Sequence, residues 1–239
     1  MRVLRLRKDP AVYSSEVYLI RGDWNHLSDV NTLVDVGANG AVVSELLSLA
    51  TGVGKRAVQQ VVLTHSHFDH SGGLDRIAEE FDPEVWAYSH HNPRCKRVRD
   101  GQSMHLGDRD FYVIYSPGHS NDSICLYGPD DGVLFSGDTE LNLMMPGGSY
   151  SRSFVRTLET LVALPLKTIF PGHGDPLVEG VGDMLRRSLD NVYRSEIFDD
   201  RAATSTGGDI SAGGSDLDAP DRSASWPPGV ARDRHFHAR

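Results

Sequence analysis

Short apolar runs recur along the chain, and most are too short to be helices. Residues 3–7, 17–20, 32–36, 61–64, 84–88, 111–115, 123–127, 133–136 and 168–170 are rich in β-branched and aromatic side chains, which predicts strands. Residues 41–49, 74–81, 154–164 and 182–198 repeat their apolar positions every three to four residues, which predicts helices. The order is strands, helix, strands, helix. That is not strict β-α alternation, and it predicts helices packed outside a mostly antiparallel or mixed sheet system. The pattern stops at Asp200. From there the chain is rich in Gly, Ser, Asp, Ala and Pro and poor in Leu, Ile, Val and Phe. Such a segment buries too little apolar surface to offset its ordering entropy. Residues 1–199 are therefore expected to be the folded domain, and 200–239 a disordered polar tail.

Composition narrows the function classes. The 239 residues are 39% hydrophobic, enough for the core of one domain. Lys and Arg number 24 against 33 Asp and Glu, a net charge of −9 with no Lys/Arg block. Nucleic acid and anionic membranes are disfavoured as main partners, because both require a positive footprint. A small-molecule substrate is expected instead. No apolar run approaches the roughly 18–20 residues that span a bilayer. The opening MRVLRLRKDP alternates, reading as a strand and not as an export signal, so a cytoplasmic location is expected. Cys95 and Cys125 are expected to be buried free thiols.

Candidate chemistry concentrates in Thr64-His65-Ser66-His67-Phe68-Asp69-His70-Ser71-Gly72-Gly73, directly after an apolar run. On a helix, residues two apart point about 200° apart; in extended chain they point the same way. His65 and His67 therefore reach one metal only from a strand end or loop. Asp69 and His70 are neighbours that diverge, so they are expected to serve a second position. Gly72 and Gly73 are expected to let the chain turn sharply. Three more ligand types follow apolar runs: His119 in Ser116-Pro117-Gly118-His119, Asp138 in Ser136-Gly137-Asp138, and His173 in Pro171-Gly172-His173. Five His and two Asp suit Zn²⁺ or iron by ligand type and are too rich in nitrogen for Mg²⁺ or Ca²⁺. Residues 141–150 follow Asp138. Met144, Met145 and Tyr150 there are candidates to line an apolar pocket, with Tyr150 donating to a substrate oxygen. His90 and His91 are expected at the surface.

The motif His65-x-His67-x-Asp69-His70, followed by His119, Asp138 and His173 in that order, resembles the signature of the metallo-β-lactamase superfamily. Asp35 sits where that family has an early strand-end Asp. The resemblance covers about residues 10–195. It implies an α/β (α+β) fold, the four-layer αβ/βα sandwich of the metallo-β-lactamase type. It implies His65, His67 and His119 on a first metal, Asp69, His70 and His173 on a second, and Asp138 between them. Two Zn²⁺ are the implied cofactors, with iron or manganese as alternatives. Two cations roughly 3.5–4 Å apart share a bridging water and lower its pKa toward 7. Asp69 would then also orient that water or take its proton.

Departures from subfamily patterns narrow the branch. Asp138 stands where the main zinc β-lactamases have Cys, which argues against antibiotic hydrolysis. The pattern is similar to glyoxalase II and the acyl-homoserine lactonases, which implies cleavage of an ester, thioester or lactone. Arg186, Arg187 and Arg194 lack the Lys partners that glyoxalase II uses for glutathione, so the expectation is a glyoxalase II-like hydrolase. One alternative is an oxidoreductase like the mononuclear-iron persulfide dioxygenases, using His65, His119 and Asp138. A nuclease is disfavoured, because the residues 139–172 leave no room for its inserted domain.

Overall fold

The computed structural model describes residues 1–24, 26–49 and 54–200. Residues 201–239, nearly all of the expected tail, lie outside the described residues. Asp200 itself is placed: its carboxylate accepts from the Ser153 backbone N–H at 3.3 Å and from the Ser153 hydroxyl.

Two mixed sheets carry the chain. The first runs in the order β1 (Arg2–Leu6), β2 (Val17–Arg21), β3 (Thr32–Val34), β4 (Gln60–Val62), β5 (Glu84–Ala87) and β6 (Cys95–Arg97). Its first two pairings are antiparallel and the other three parallel. The second sheet contains β7 (Ser103–Leu106), β8 (Arg109–Tyr115), β9 (Ile124–Gly128), β10 (Val133–Gly137) and β12 (Thr168–Pro171), ordered β12-β10-β9-β8-β7. There only β10 and β12 run parallel. A small parallel pair joins β11 (Ser149–Ser151) to β13 (Glu196–Phe198).

Side-chain alternation builds the layers. Along β2, Tyr18 and Ile20 face the second sheet, where they meet Phe111, Val113, Ile124 and Phe135. Val17 and Leu19 point the other way, onto α1 (Val43–Ser48) and α3 (Leu74–Phe81) through Leu46, Leu74, Ile77 and Phe81. On the second sheet, Ile114, Tyr127 and Leu134 face α4 (Arg152–Ala163) and α5 (Val181–Tyr193) through Leu158, Leu161 and Leu185. The result is helix, sheet, sheet, helix, the four-layer sandwich that was expected. Strands covered on both faces read as continuous apolar runs, which is why the sequence shows runs and little alternation. Among the described residues, no helix is long and apolar enough to cross a membrane.

The structure corrects several expectations. The closing helix ends at Tyr193, and residues 196–198 form a strand instead. β6, β7, β11 and β13 were not predicted, because three or four residues at a sheet edge carry no measurable period. Cys125 is buried but Cys95 is half-buried, and both are free. Gly72 and Gly73 do not serve a sharp turn. Their φ values, −63° and −77°, are open to any residue. What they provide is close approach: a Cβ on Gly73 would lie 2.5 Å from the Gly40 backbone N and 2.6 Å from the Val36 carbonyl oxygen.

Gly73→Ala is therefore expected to lower unfolding stability by ~2 kcal/mol or more, since backbone and not a flexible side chain must yield. Urea unfolding of the variant measures this, and a change under about 0.5 kcal/mol would contradict the packing argument.

Candidate metal centre

The strands deliver all the candidate ligands to one edge. β3, β4 and β5 run parallel, and their C-terminal ends share that edge with the ends of β8, β10 and β12. Hydrogen bonds join the sheets there: Ile124 N–H donates to the Thr64 carbonyl at 2.9 Å and Glu16 N–H to the Gly172 carbonyl at 2.7 Å, while Ser15 N–H donates to the Asp69 carbonyl at 3.0 Å within the first sheet's own loops. His65 and His67 lie in the loop after β4, with His67 in extended conformation (φ −59°, ψ 146°), as the spacing required. His67 precedes α2 (Phe68–Ser71), a single turn that carries Asp69 and His70. Gly137 ends β10 at φ +49°, and the Thr64 side chain occupies the space beside it. Asp138 follows at once. Beyond β12, a Cβ on Gly172 would collide with Asp138.

All seven predicted ligands come together, in two groups. His65, His67 and His119 offer atoms within 4.8 Å of one another, and so do Asp69, His70, Asp138 and His173. His119 Nε2 lies 2.9 Å from His67 Nδ1. His173 Nε2 lies 2.9 Å from Asp69 Oδ2. Asp138 faces both groups: its Oδ2 is 3.5 Å from His119 Nε2 and 3.5 Å from His173 Nε2. Asp69 and His70 do not diverge as the sequence suggested. Asp69 Oδ2 and His70 Nε2 are 3.7 Å apart, because both side chains reach the same point from the single turn of α2.

These donors fit divalent cations. Among the described residues, His65 Nε2, His70 Nε2 and Asp138 Oδ1 are buried without a well-aligned hydrogen-bond partner, although His70 Nε2 and Asp138 Oδ1 are only 3.2 Å apart. An orphaned buried polar atom costs about 1–3 kcal/mol unless something occupies its lone pair. Here three such atoms converge in a set of imidazoles and carboxylates suited to zinc, iron or manganese.

A buried Asp supports the second group. Asp35 is 2% exposed and sits at φ +59°, unusual for a residue with a Cβ. Its carboxylate accepts from Thr64 N–H at 2.7 Å, Thr64 Oγ1 at 2.8 Å and His70 Nδ1 at 2.8 Å. With Nδ1 engaged, His70 turns Nε2 toward the second group. Thr64 Oγ1 also lies 3.1 Å from His65 Nδ1, so one hydroxyl touches both groups' supports. Burial pushes the His65 pKa down to about 4, leaving a neutral imidazole ready to ligate. Burial also opposes charge on His70, but Asp35 and Asp138 outweigh it and raise its pKa. Burial would raise the Asp138 pKa, yet contact with His70 holds it low.

A cavity of about 500 Å³ opens beside the ligands. His119, Asp138, His173, Tyr150, Phe154 and Phe198 help line it. Tyr150 lies on β11 with its ring stacked on Phe154 at 5.5 Å. Met144 and Met145 do not line the cavity; they are 74% and 76% exposed. His91 is exposed, and half-buried His90 accepts from Asn92 N–H, outside both groups. Sequence reasoning missed Thr64 and Tyr13. Tyr13 stacks on His173 at 5.0 Å with its hydroxyl 3.4 Å from Nε2. No local pattern marks it, because its partner lies 160 residues away.

Comparison with known proteins agrees with this geometry. The family model described as the metallo-beta-lactamase superfamily matches residues 11–173. An atrochrysone carboxyl ACP thioesterase from Aspergillus fumigatus is 27% identical over 169 residues, 69% of this chain and 53% of the relative. The chain thus spans about half the length of that relative. Human acyl-coenzyme A thioesterase MBLAC2 is 28% identical over 207 residues, 66% of this chain and 72% of the relative. A hydroxyacylglutathione hydrolase from Chromohalobacter salexigens is 32% identical over 178 residues, 69% of this chain and 64% of the relative. Among solved structures, ETHE1 from Myxococcus xanthus superposes with a TM-score of 0.59 at 22% identity, covering 80% of this chain and 88% of that one. An archaeal superfamily protein from Sulfolobus tokodaii gives 0.58 at 16% identity, covering 89% and 91%. Both likenesses concern the fold.

The shared position of Asp138 makes metal content the test of the grouping. Asp138→Ala and His70→Ala are each expected to lose about half the metal bound per chain, while His65, His67 and His119 keep theirs. Elemental analysis of the folded variants reads this. Wild-type metal content in both would contradict the ligand assignment.

Proposed function

The chain belongs to the metallo-beta-lactamase superfamily, and we propose that it is a dinuclear zinc hydrolase that cleaves a thioester of a small molecule. The observation that carries this reading is the pair of donor groups with Asp138 facing both. Thioesterases and a hydroxyacylglutathione hydrolase among the relatives support the choice of bond. His65, His67 and His119 would hold one ion, and Asp69, His70 and His173 the other, with Asp138 between them. Bound there, the ions supply a water of lowered pKa and positive charge against the carbonyl oxygen.

The chain's own residues do the rest. Asp69, a carboxylate within the second donor group, would orient the attacking water and accept its proton. Asp35 fixes the tautomer and ring plane of His70. Tyr150 donates from the cavity wall to a substrate oxygen, and Phe154 and Phe198 give the acyl chain an apolar surface. A mononuclear-iron oxidoreductase using His65, His119 and Asp138 would leave Asp69, His70 and His173 without a task, although with Asp138 they form the second donor group.

The zinc-loaded protein is expected to release thiol from acyl thioesters. Asp69→Asn is expected to lower kcat by about 10²-fold or more. Thiol release and oxygen uptake, measured on thioester and persulfide substrates in parallel, separate the readings. Oxygen uptake on persulfide without thiol release from any thioester would contradict the proposal.

A further inference from the structure

The expectation that the chain carries no Lys/Arg block is corrected at one place: within the net charge of −9 there is one short basic run. Arg94, Lys96, Arg97 and Arg99 fall within six positions, at β6 and just past it. The first two are spent on acids at the far end of the strand: Arg94 lies 3.8 Å from Asp82, and Lys96 lies 2.8 Å from Glu84. The last two lie at the metal-site edge. β6 runs parallel to β5, and β5 to β4, so Arg97 pairs with Ala87 and stands level with the chain entering Thr64 and His65. Two strand spacings, roughly 10 Å, separate them.

Arg97 and Arg99 are exposed. Neither forms an ion pair with an acid among the described residues. Arg97 lies over the Tyr88 ring, 5.4 Å from its centroid. Tyr88 stacks in turn on Tyr115 at 4.3 Å and an interplanar angle of 13°. Tyr115 ends β8 and leads into the loop that carries His119, and its hydroxyl donates to the Asn121 carbonyl in that loop. The guanidinium is thus held by a ring stack that reaches the site. Holding it there reduces the side-chain entropy lost when it binds an anion. Arg99 starts a turn in which its N–H donates to Gln102 Oε1 and its carbonyl accepts from Gln102 N–H. The neighbouring acid, Asp100, accepts from Tyr115 N–H at 2.8 Å.

We propose that Arg97 and Arg99 form a phosphate-binding rim that receives the nucleotide end of a coenzyme A thioester while its acyl carbon lies at the metal centre. This rests on the thioester reading above. Charge complementarity argues for it: two guanidiniums with no acid partner among the described residues, beside the site of an acidic chain, match a substrate whose leaving thiol carries several phosphates.

The test compares coenzyme A, dephospho-coenzyme A and pantetheine by calorimetry on wild type and on the Arg97→Ala/Arg99→Ala double variant. Both residues are exposed, so circular dichroism should be unchanged. Coenzyme A is expected to bind wild type, with Kd rising about tenfold or more in the variant. The Arg97→Lys/Arg99→Lys double variant should recover part of the loss. Kinetically, KM for an acyl-coenzyme A should rise at constant kcat, with the acyl-pantetheine unaffected. Equal coenzyme A binding by wild type and variant, or none by wild type, overturns the rim. So does a variant that slows only a thioester on an acyl carrier protein, which would assign the face to protein docking. If both thioesters are cleaved equally well by wild type and variant, the rim fails and the hydrolase stands. If coenzyme A binds through the two arginines but no thioester is cleaved, the rim stands and the hydrolase fails.

Discussion

A carboxylate buried at the end of β3 organises the site. Asp35 is removed from water and held in the left-handed region, two costs that an isolated residue would not bear. Its hydrogen bonds offset them. Thr64 N–H and Oγ1 tie it to the end of β4, His70 Nδ1 ties it to α2, and its own N–H donates to Val62 at 3.0 Å. The end of β3 is thereby fixed at two points to the segment that follows β4, about thirty residues on, by one side chain. His65 leans on the same Thr64 hydroxyl, so both donor groups rest on this point.

The frame around it works by close approach. The edge where the parallel strands end is joined by backbone hydrogen bonds between the sheets, and glycines stand where a Cβ would collide: Gly73 against Gly40, Gly137 against Thr64, Gly172 against Asp138. Strands covered on both faces make this edge stiff, and a stiff edge can hold uncompensated donors such as His65 Nε2 and His70 Nε2 in place. Stability used to hold those atoms apart from hydrogen-bond partners is what makes them available to a cation.

Much of this was legible in the chain. Apolar runs showed the strands, and the i, i+3, i+4, i+7 spacing of Leu74, Ile77, Ala78 and Phe81 showed α3. The seven ligands were legible because unlike residue types followed apolar runs at strand ends. The three-residue edge strands were not, having no period to read. In the sequence Gly72 and Gly73 suggest conformational freedom, whereas their role is space, which only the fold reveals. Thr64, Tyr13 and the Arg97–Tyr88–Tyr115 stack were silent for the same reason: each acts through partners that the sheets, not the sequence, bring near.

Asp35→Asn tests the central claim most directly, since it keeps the shape and removes the charge that orients His70. Metal per chain and resistance to a chelator are measured on variant protein whose circular dichroism matches wild type. The account predicts that the more weakly held portion of the metal is lost while the portion on His65, His67 and His119 is kept. Wild-type metal content with unchanged chelator resistance would contradict it.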